Sequence, residues 1–472
     1  MRTQRPGGGR QLAEPAGRVG LVLAVSSLAA FLAFLDVTIV NIAFPAIAAE
    51  FPESSAADLS WIFTAYNVTF AALLVPAGRL ADLWGRRRVF LVGLALFGVA
   101  SAVCAAAPTV GLLVAGRTAQ AVAAALLAPS SLALLLPAFP PERRGFAVGT
   151  WGAMGGIAAA TGPALGGLVV DVLGWRAVFL LNLPVVVVTL VAAVVVMTES
   201  RDRGARLPDP AGVLLLGVGV ALVAWGIVGG ETSWTAPATL ARLGGGLGLL
   251  AVFAWRSARV AAPLVEPALF RVRAFRAAVV GYLVFSAAFY ALLLANILFL
   301  TGVWHYDVLT AGLAVTPGPL CAATASAVGG RLADRFGARA VLVPGALLFA
   351  AGCALFAAGI GPDPAYLTHF LPATLLTGTG VGGVFSGLGV ATVAALPPNR
   401  YATGSAVGTC ARQIGAVFGI SALLSGLAAG GDFHTAWVLM TLAALATAAV
   451  GGTVGRVRAT PAPVPVTIGE TA

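Results

Sequence analysis

The chain has 472 residues, of which 59% are hydrophobic and only 10% are charged, and its mean hydropathy is +0.96. A soluble domain carries about 25% charged residues. The composition therefore excludes a soluble multidomain enzyme, and its hydrophobicity excludes a disordered chain. The 59 Gly residues suit helices that pack closely in lipid, where no hydrophobic effect drives helix association. We predict an all-α polytopic membrane protein.

The net charge of +10 comes from 28 basic residues, all of which are Arg. In a soluble chain this balance would suggest nucleic-acid binding. Here the Arg positions follow a topological pattern, described below, so no nucleic-acid partner is expected. The Cys residues occur singly in apolar stretches and indicate small buried side chains, not a metal site or a disulfide set.

A window of about 20 apolar residues identifies fourteen candidate membrane-spanning helices. The first contains Asp36 and is too long for the apolar region of a signal peptide, so we do not expect it to be cleaved. The candidate spans are roughly 19–45, 58–78, 88–107, 109–137, 146–171, 176–197, 211–230, 236–256, 276–302, 308–330, 340–360, 365–395, 402–428 and 433–455.

The Arg residues support this number of spans. With the N-terminus in the cytoplasm and alternating spans, 24 of the 28 Arg residues fall in inner segments, whereas the outer loops are acidic. This distribution obeys the positive-inside rule and predicts a multi-pass protein of the cell membrane with both termini cytoplasmic. The exceptions are Arg117, Arg176, Arg242 and Arg412, of which the first and last lie within spans.

One segment occurs twice. Residues 78–86 read GRLADLWGR and residues 330–338 read GRLADRFGA, and each copy follows a span at its cytoplasmic end. Six identities in nine positions with matching topology predict two parallel six-helix pseudo-repeats, with two helices inserted between them. The predicted divisions are an N-terminal tail 1–18, a first bundle 19–197, the inserted helices and linkers 198–275, a second bundle 276–455 and a C-terminal tail 456–472.

Further motifs follow one another along the spans. They are Leu35-Asp36-x-Thr38-x-x-Asn41-x-Ala43-x-Pro45, Arg117-x-x-Gln120, Gly162-Pro163-x-x-Gly166-Gly167, Gly174-Trp175-Arg176-x-x-Phe179-x-x-Asn182-x-Pro184 and Ala411-Arg412-Gln413-x-Gly415. Together with the repeated loop, this ordered set resembles the major facilitator superfamily, in particular its fourteen-helix drug:proton antiporters of the EmrB/QacA type. The chain departs from the family pattern at Ala121 and Ala158, where Gly is usual. The resemblance implies the major facilitator fold and proton-coupled export.

Asp36 is the one acidic residue that we place inside a span. A carboxylate at membrane depth is costly to keep charged, so it is protonated, paired or solvated, and it can carry a proton. A cationic substrate nearby would compete with that proton, and a single carboxylate predicts monovalent over divalent cations. The alternative is a structural Asp that is hydrogen-bonded to a neighbouring helix. Asn41 lies about 140° further round the helix, so any partner must come from elsewhere.

Two Arg residues also lie at membrane depth. By the same cost argument, Arg117 needs an acidic or backbone partner. The resemblance implies a role for Arg117 in proton coupling, and the alternative is snorkelling toward the outer end of its helix. Arg412, followed by Gln413, is its counterpart in the second half. A functional role in the substrate cavity and a structural role are equally open for Arg412.

The repeated loops are predicted to form a cytoplasmic gate. Asp82 and Asp334, with neighbouring Arg86 and Arg87, would latch the helix ends in one conformational state and release them in the other. The alternative is that the Arg residues serve topology alone. Four Gly residues are expected to permit the tight turns, and these are Gly78, Gly85, Gly330 and Gly337.

The fifth span contains Gly162, Pro163, Gly166 and Gly167. Pro removes one backbone hydrogen bond, and Gly lets a facing helix approach closely. The resemblance implies that this antiporter motif is a hinge favouring export. The alternative is plain packing of small residues, which also explains the glycine run at 378–383. No strand–turn–helix unit surrounds that run, so it is not a nucleotide site.

Polar and aromatic residues within the spans are candidates for a central substrate cavity, because aromatic faces bind lipophilic cations. The alternative for each is packing within the bundle or contact with lipid. The candidates are Phe34, Asn41, Trp61, Tyr66, Asn67, Gln120, Phe289, Tyr290, Asn296 and Arg412.

No zinc, catalytic-triad or Walker pattern occurs in the sequence, so we expect neither an enzyme nor an ATP-driven pump, and no cofactor beyond the proton gradient. The residues and the resemblance together predict a monomeric, proton-coupled efflux antiporter for lipophilic, cationic drugs or a secondary metabolite. One alternative is a proton-coupled transporter of another small solute. The other is a non-transporting membrane scaffold or receptor on the same fold.

Overall fold

The computed structural model describes residues 16–140, 144–201, 209–229, 233–261, 263–393, 396 and 401–455. All regular structure in these ranges is helical. Within the described ranges, thirteen helical segments are long and apolar enough to cross a membrane. The 30-residue helix α5 (Arg144–Leu173) corresponds to the remaining predicted span. The prediction of an all-α, multi-pass membrane protein is confirmed.

The spans of the two halves and the central pair follow in chain order. The first six form α1 (Ala16–Glu50), α2 (Ala56–Trp84), α3 (Arg86–Ala105), α4 (Val110–Leu135), α5, α6 (Arg176–Leu180) and α7 (Asn182–Val196). The central pair forms α8 (Pro210–Gly229) and α9 (Pro237–Ser257). The last six form α10 (Arg273–Gly302), α11 (Val308–Val315), α12 (Pro317–Phe336), α13 (Arg339–Gly359), α14 (Leu371–Val393), α15 (Tyr401–Ala428) and α16 (Phe433–Gly452).

Two predicted spans are each divided into two α-helices. In the tenth, Pro317 has no N–H to donate to the carbonyl of Leu313, which accepts from the backbone of Thr316 at 3.3 Å instead. In the sixth, α7 begins at Asn182, whose side chain is buried. The division at Asn182 places a polar side chain inside the first half of the molecule.

The two halves repeat one pattern of helix packing. In the first half α1 packs on α5, α2 on α4, and α3 on both α4 and α7. In the second half α10 packs on α15, α12 on α14, and α13 on both α14 and α16. The halves meet where α2 contacts α15 and where α5 contacts α11 and α12. Equivalent helices thus occupy equivalent positions around a central interface, as expected for an internal repeat.

The central pair, α8 and α9, packs against the junction of the halves. Apolar side chains of α8, including Leu216 and Val220, join Val68 of α2 and Val417 of α15 in one buried cluster. Helix α8 therefore covers the groove between α2 and α15. Helix α9 packs on α8 and keeps large apolar side chains exposed, such as Trp255.

The two ends of the bundle differ in charge. The basic end is the one where α2 meets α3 at Gly85 and α12 meets α13 at Gly337. The acidic end is the one where α1 finishes at Glu50 and α11 follows Asp307. The described part of the structure therefore has the charge asymmetry that the sequence predicts for the two sides of a membrane.

Candidate functional site

Asp36 lies near the middle of α1, and its side chain is fully buried. Nη1 of Arg117 donates to its Oδ2 at 2.5 Å. The side-chain amides of Gln120 and Asn182 donate to its Oδ1 at 3.1 and 3.0 Å. Asp36 is therefore both charge-balanced and hydrogen-bonded, as a carboxylate at membrane depth needs to be if it is to stay ionised.

A hydroxyl group on α3 completes this network. Oγ of Ser101 accepts from the amides of Gln120 at 2.8 Å and Asn182 at 3.2 Å. Arg117 also donates to Oε1 of Gln120 at 2.8 Å. The side chains come from α1, α3, α4 and α7, so a change in the charge of Asp36 acts on four helices at once.

Arg117 is 1% exposed, and it has further partners besides Asp36 and Gln120. Its Nε donates to the backbone carbonyl of Ile62 at 3.3 Å, and its guanidinium carbon lies 4.3 Å from the centroid of the Tyr66 ring. Snorkelling would direct the Arg117 side chain toward the end of its helix. The side chain instead points into the bundle. Its partners include both an acid and a backbone carbonyl.

A cavity of about 720 Å³ lies between the two halves, and its lining is mostly apolar. Helices α1, α2, α4 and α5 line it from the first half, and α10, α11, α12, α14 and α15 from the second. Seven of the predicted cavity residues are in its lining, and these are Phe34, Asn41, Tyr66, Phe289, Tyr290, Asn296 and Arg412.

The structure places the other three candidates outside this lining. Trp61 packs edge-to-face on Trp225 of α8, with ring centroids 6.2 Å apart. Asn67 accepts a hydrogen bond from Gln413 at 3.0 Å across the α2–α15 contact, and Gln120 belongs to the Asp36 network. These predictions are corrected because the position of a residue along its helix does not show which neighbouring helix covers it.

Tyr66 separates the cavity from the ion pair. Its ring lines the cavity and also covers the guanidinium of Arg117, whereas neither Asp36 nor Arg117 is in the lining. Among the described lining residues there is no carboxylate, and Arg412 carries the charge. A substrate in this cavity would lie near Asp36, as the sequence predicts, but with the ring of Tyr66 between them.

The glycines of the antiporter motif lie where α5 contacts two other helices. A Cβ at Gly162 would lie 2.2 Å from Oγ1 of Thr38 on α1, and one at Gly167 would lie 2.8 Å from Cα of Leu309 on α11. From the other side, a Cβ at Gly312 of α11 would lie 2.3 Å from the carbonyl oxygen of Pro163. The backbones of α5 and α11 therefore lie in direct contact, and this contact closes the acidic end of the cavity.

The cavity extends further toward the basic end. Its lining reaches Trp151 on α5 and Ala327 on α12, each about two to three helical turns from the basic end of its helix. Toward the acidic end, the α2–α15 contact contains hydrogen bonds from Gln413 to Asn67 and between Thr64 and Ser421. The two halves are thus joined closely on the acidic side of the cavity.

In the repeated loops, two of the four glycines form turns. Gly85 and Gly337 have φ values of 115° and 91°, and their N–H groups donate to the carbonyls of Ala81 and Ala333 at the ends of α2 and α12. Gly78 and Gly330 lie inside those helices, which corrects the expectation of four turn glycines. Near Gly78, an added Cβ would lie 3.3 Å from Pro129, whereas the space near Gly330 is open.

The charged residues of the first loop pair within their own half. Arg86 donates to Asp82 one helical turn away, with Nη2 at 2.9 Å from Oδ1, and Nη2 of Arg87 donates to the carbonyl of Val194 at 2.6 Å. In the second loop, Asp334 lies on α12, but its side chain is outside the described residues. The gate function of the loops remains a prediction.

Two residues that sequence reasoning did not assign to a site contribute to these arrangements. Asn182 appeared only as part of a motif, yet it binds Asp36 directly. Glu199 accepts from the backbone N–H groups of Arg87 and Arg88 at 3.1 and 3.2 Å, so it caps α3. An added Cβ at Gly85 would lie 2.6 Å from this carboxylate. Asp202 and Asp209 lie in the same inner segment, so no sequence signal distinguished Glu199 from them.

Comparison with known proteins agrees with this architecture. A family model described as Major Facilitator Superfamily matches residues 26–292 and 278–470. The chain belongs to the major facilitator superfamily. Its similarity to curated resistance proteins, given next, places it with the drug:proton antiporters of that superfamily.

Curated relatives resemble the chain over most of its length. The multidrug resistance protein Stp of Mycobacterium tuberculosis is 33% identical over 418 residues, or 87% of this chain and 76% of the relative. The puromycin resistance protein pur8 of Streptomyces alboniger is 35% identical over 86% of this chain and 80% of its own. The methylenomycin A resistance protein of Streptomyces coelicolor is 33% identical over 90% of both chains.

Solved structures support the fold alone. A bacterial homologue of the human lysosomal transporter Spinster aligns with a TM-score of 0.65 at 17% identity, covering 95% of this chain and all of the other. A POT family transporter in complex with 5-aminolevulinic acid aligns with a TM-score of 0.68 at 15% identity, over 92% of this chain and 95% of the other.

Proposed function

We propose that this protein is a proton-coupled antiporter that exports lipophilic drugs or a secondary metabolite by alternating access. The observation that carries the proposal is a fully buried Asp36–Arg117 ion pair that lies beside a mostly apolar cavity between two pseudo-repeated halves. The resistance functions in the names of the relatives are consistent with export. A transporter of this family moves its substrate without chemical change, so no enzymatic activity is proposed.

The orientation follows from charge. By the positive-inside rule, the basic end faces the cytoplasm and both termini are cytoplasmic. The protein then works as a monomer in the cell membrane, with the proton gradient as its energy source and no cofactor. In this orientation, the close α5–α11 contact is on the outer side and the cavity lies nearer to the cytoplasm, from which an exporter takes its substrate.

Asp36 is the proposed proton carrier. While Asp36 is ionised, Arg117 is neutralised and the network of Gln120, Asn182 and Ser101 stays closed. When Asp36 is protonated, the guanidinium of Arg117 has no counter-charge. An unpaired buried charge costs on the order of 3–5 kcal/mol, which is enough to change the population ratio of two conformations by a factor of more than ~100.

The proposed route from proton to substrate passes through Tyr66. Its ring covers Arg117 on one face and borders the cavity on the other. A movement of Arg117 would therefore change the cavity wall, and a bound substrate would restrict that movement. Proton and substrate would compete through this shared side chain rather than at the carboxylate itself.

The outer gate is the proposed moving part. The backbones of α5 and α11 meet directly at Gly167 and Gly312. We propose that this contact forms and separates as two alternative packings. Opening of α5 from α11 would connect the cavity to the outside. At the basic end, the repeated loops would then close against the opposite half.

The test is a susceptibility panel of chemically diverse toxic compounds, in a host that lacks its own pumps. The host expresses either the wild type or Asp36→Asn at matched membrane levels. Broad resistance that the mutant loses supports a proton-driven multidrug exporter, and resistance to one chemical class supports a dedicated exporter. If the wild type protects against nothing, the proposal of export is wrong. If the mutant protects equally, the role of Asp36 is wrong.

A further inference from the structure

Arg412 on α15 lines the central cavity without any hydrogen bond or ion pair from the described residues. Its Nε is buried and has no acceptor among the residues that the structure describes. Its guanidinium carbon lies 5.9 Å from the centroid of the Phe385 ring, which is also part of the lining. Arg117 differs, because its Nε and Nη1 both donate to acceptors within the fold.

The charge of Arg412 is not balanced inside the cavity. The described lining residues include no Asp or Glu. Asp36 is already occupied by Arg117, Gln120 and Asn182 and lies behind Tyr66. In surroundings of low polarity, the attraction of an unbalanced guanidinium for an anion is much stronger than it is in water.

From this geometry we infer that the cavity binds lipophilic monoanions, with a carboxylate or sulfonate on Arg412 and the apolar body on Phe289 and Phe385. The inference rests on the proposed efflux function and specifies its substrate class. A guanidinium presents paired N–H donors that match such oxyanions, and charge-assisted hydrogen bonds are the strong ones. The two Phe rings pack at right angles to each other, with centroids 5.4 Å apart, and offer an apolar surface next to the charge.

A lipophilic cation fits the same residues less well. Aromatic rings attract cations through their faces, but the ring of Phe385 already lies close to the guanidinium of Arg412. A second cation there would meet like charge without a neutralising carboxylate. The monoanion therefore replaces the cation that the sequence alone predicted.

Two probes that share one apolar body test the inference, namely anilinonaphthalene sulfonate and the uncharged N-phenylnaphthylamine. Their fluorescence reports binding to the full-length protein in lipid nanodiscs, with empty nanodiscs subtracted. We expect the wild type to bind the sulfonate at least about tenfold more tightly than the neutral probe, since a charge-assisted hydrogen bond contributes that much. Arg412→Gln should abolish this preference, and Arg412→Lys should keep part of it.

The controls separate charge from folding. Arg242→Gln also removes one positive charge, but at a site over Trp225 outside the cavity, and it should leave the preference unchanged. Unchanged binding of the neutral probe by Arg412→Gln would show that this variant is folded. Equal affinity of the wild type for both probes, or a preference that survives in Arg412→Gln, would overturn the inference.

A transport measurement keeps the inference distinct from the proposed function. Vesicles with an imposed pH gradient report export of both probes and of the cationic dye ethidium. Gradient-driven export of ethidium or the neutral probe without any preference for the sulfonate would overturn the anion site alone. Sulfonate binding that depends on Arg412, with no export of any probe, would overturn efflux and leave the site in place.

Discussion

Arg117 of α4 and Asp36 of α1 form an ion pair that the ring of Tyr66 closes off from the central cavity. The side chain of Arg117 is 2% exposed and that of Asp36 is 0% exposed. Removing one partner from such a pair is costly, whereas protonation of Asp36 has the same electrical effect and is reversible. The position of this pair therefore suits a proton-dependent change of conformation.

Asp36→Asn is expected to abolish export driven by a pH gradient, because an amide cannot exchange a proton. Substrate binding from the basic end should persist, because Asp36 does not line the cavity. Counterflow of labelled substrate without a gradient, compared with gradient-driven export in the same vesicles, measures the two properties separately.

A structural control accompanies this variant. Asp36→Asn leaves Arg117 without a counter-charge and can lower stability by up to about 3–5 kcal/mol. The double variant Asp36→Asn with Arg117→Gln removes both charges and should recover thermal stability, but not gradient-driven export. Recovery of driven export by the double variant would show that the pair is structural.

Tyr66→Ala is expected to uncouple proton movement from substrate, since it removes the wall between the ion pair and the cavity. Tyr66→Phe keeps the ring over the guanidinium of Arg117 and should retain coupling. Proton leak into vesicles without substrate is the measurement, and it should rise in Tyr66→Ala only. A rise in proton leak in both variants would show that the hydroxyl group of Tyr66, rather than its ring, is needed. No rise in either variant would show that Tyr66 does not separate the ion pair from the cavity.

The fold could be predicted from the sequence because span length and charge asymmetry are properties of the chain itself. The bilayer fixes how many apolar residues a span needs, and Arg positions fix its direction. Breaks within spans were less visible. The division before Pro317 has a local cause, but the break at Leu181 is seen only from the structure.

The site could be predicted only in part. Asp36 and Arg117 stood out because ionisable residues are rare at membrane depth. Their mutual contact depends on how α1 and α4 are rotated, which the sequence does not state. The same is true of Asn182, and of Gln120, which faces Asp36 instead of the cavity. Side chains that contact several helices need the packing to be known.

Gly167→Ala is expected to separate α5 from α11, because the added Cβ would lie 2.8 Å from Cα of Leu309. Overpacking of this kind costs about 1–3 kcal/mol. Here it destabilises the conformation in which α5 and α11 close the acidic end of the cavity. Export should fall, and a cysteine placed at Leu309 should become more reactive to a membrane-impermeant thiol reagent.

A matched glycine on the central pair provides the control for this variant. Gly248 on α9 has no atom within 4 Å of an added Cβ. Gly248→Ala should therefore leave export and thiol reactivity unchanged and raise helix stability by up to ~1 kcal/mol. Unchanged reactivity at Leu309 in Gly167→Ala would show that the α5–α11 contact tolerates the methyl group.

Glu199→Ala is expected to lower the stability of the fold at its basic end, because two N–H groups at the start of α3 lose their acceptor. Loss of such a cap costs about 0.5–2 kcal/mol, which thermal unfolding of the purified protein can detect. Glu53→Ala, at an exposed position between α1 and α2, is the control and should unfold as the wild type does. Equal unfolding of all three proteins would contradict the capping role.

The junction of α8 and α9 should make stability depend on pH. Arg256 near the end of α9 donates to both oxygens of Asp209, which precedes α8, and this hydrogen bonding lowers the pKa of Asp209. A lowered carboxyl pKa stabilises the fold above the ordinary Asp value and loses that contribution as the pH falls through the lowered value. Wild type should therefore unfold at a higher temperature than Asp209→Asn at pH 7, with the difference shrinking on acidification. A difference that stays constant down to pH 3 would show that the ion pair does not hold the central helices together.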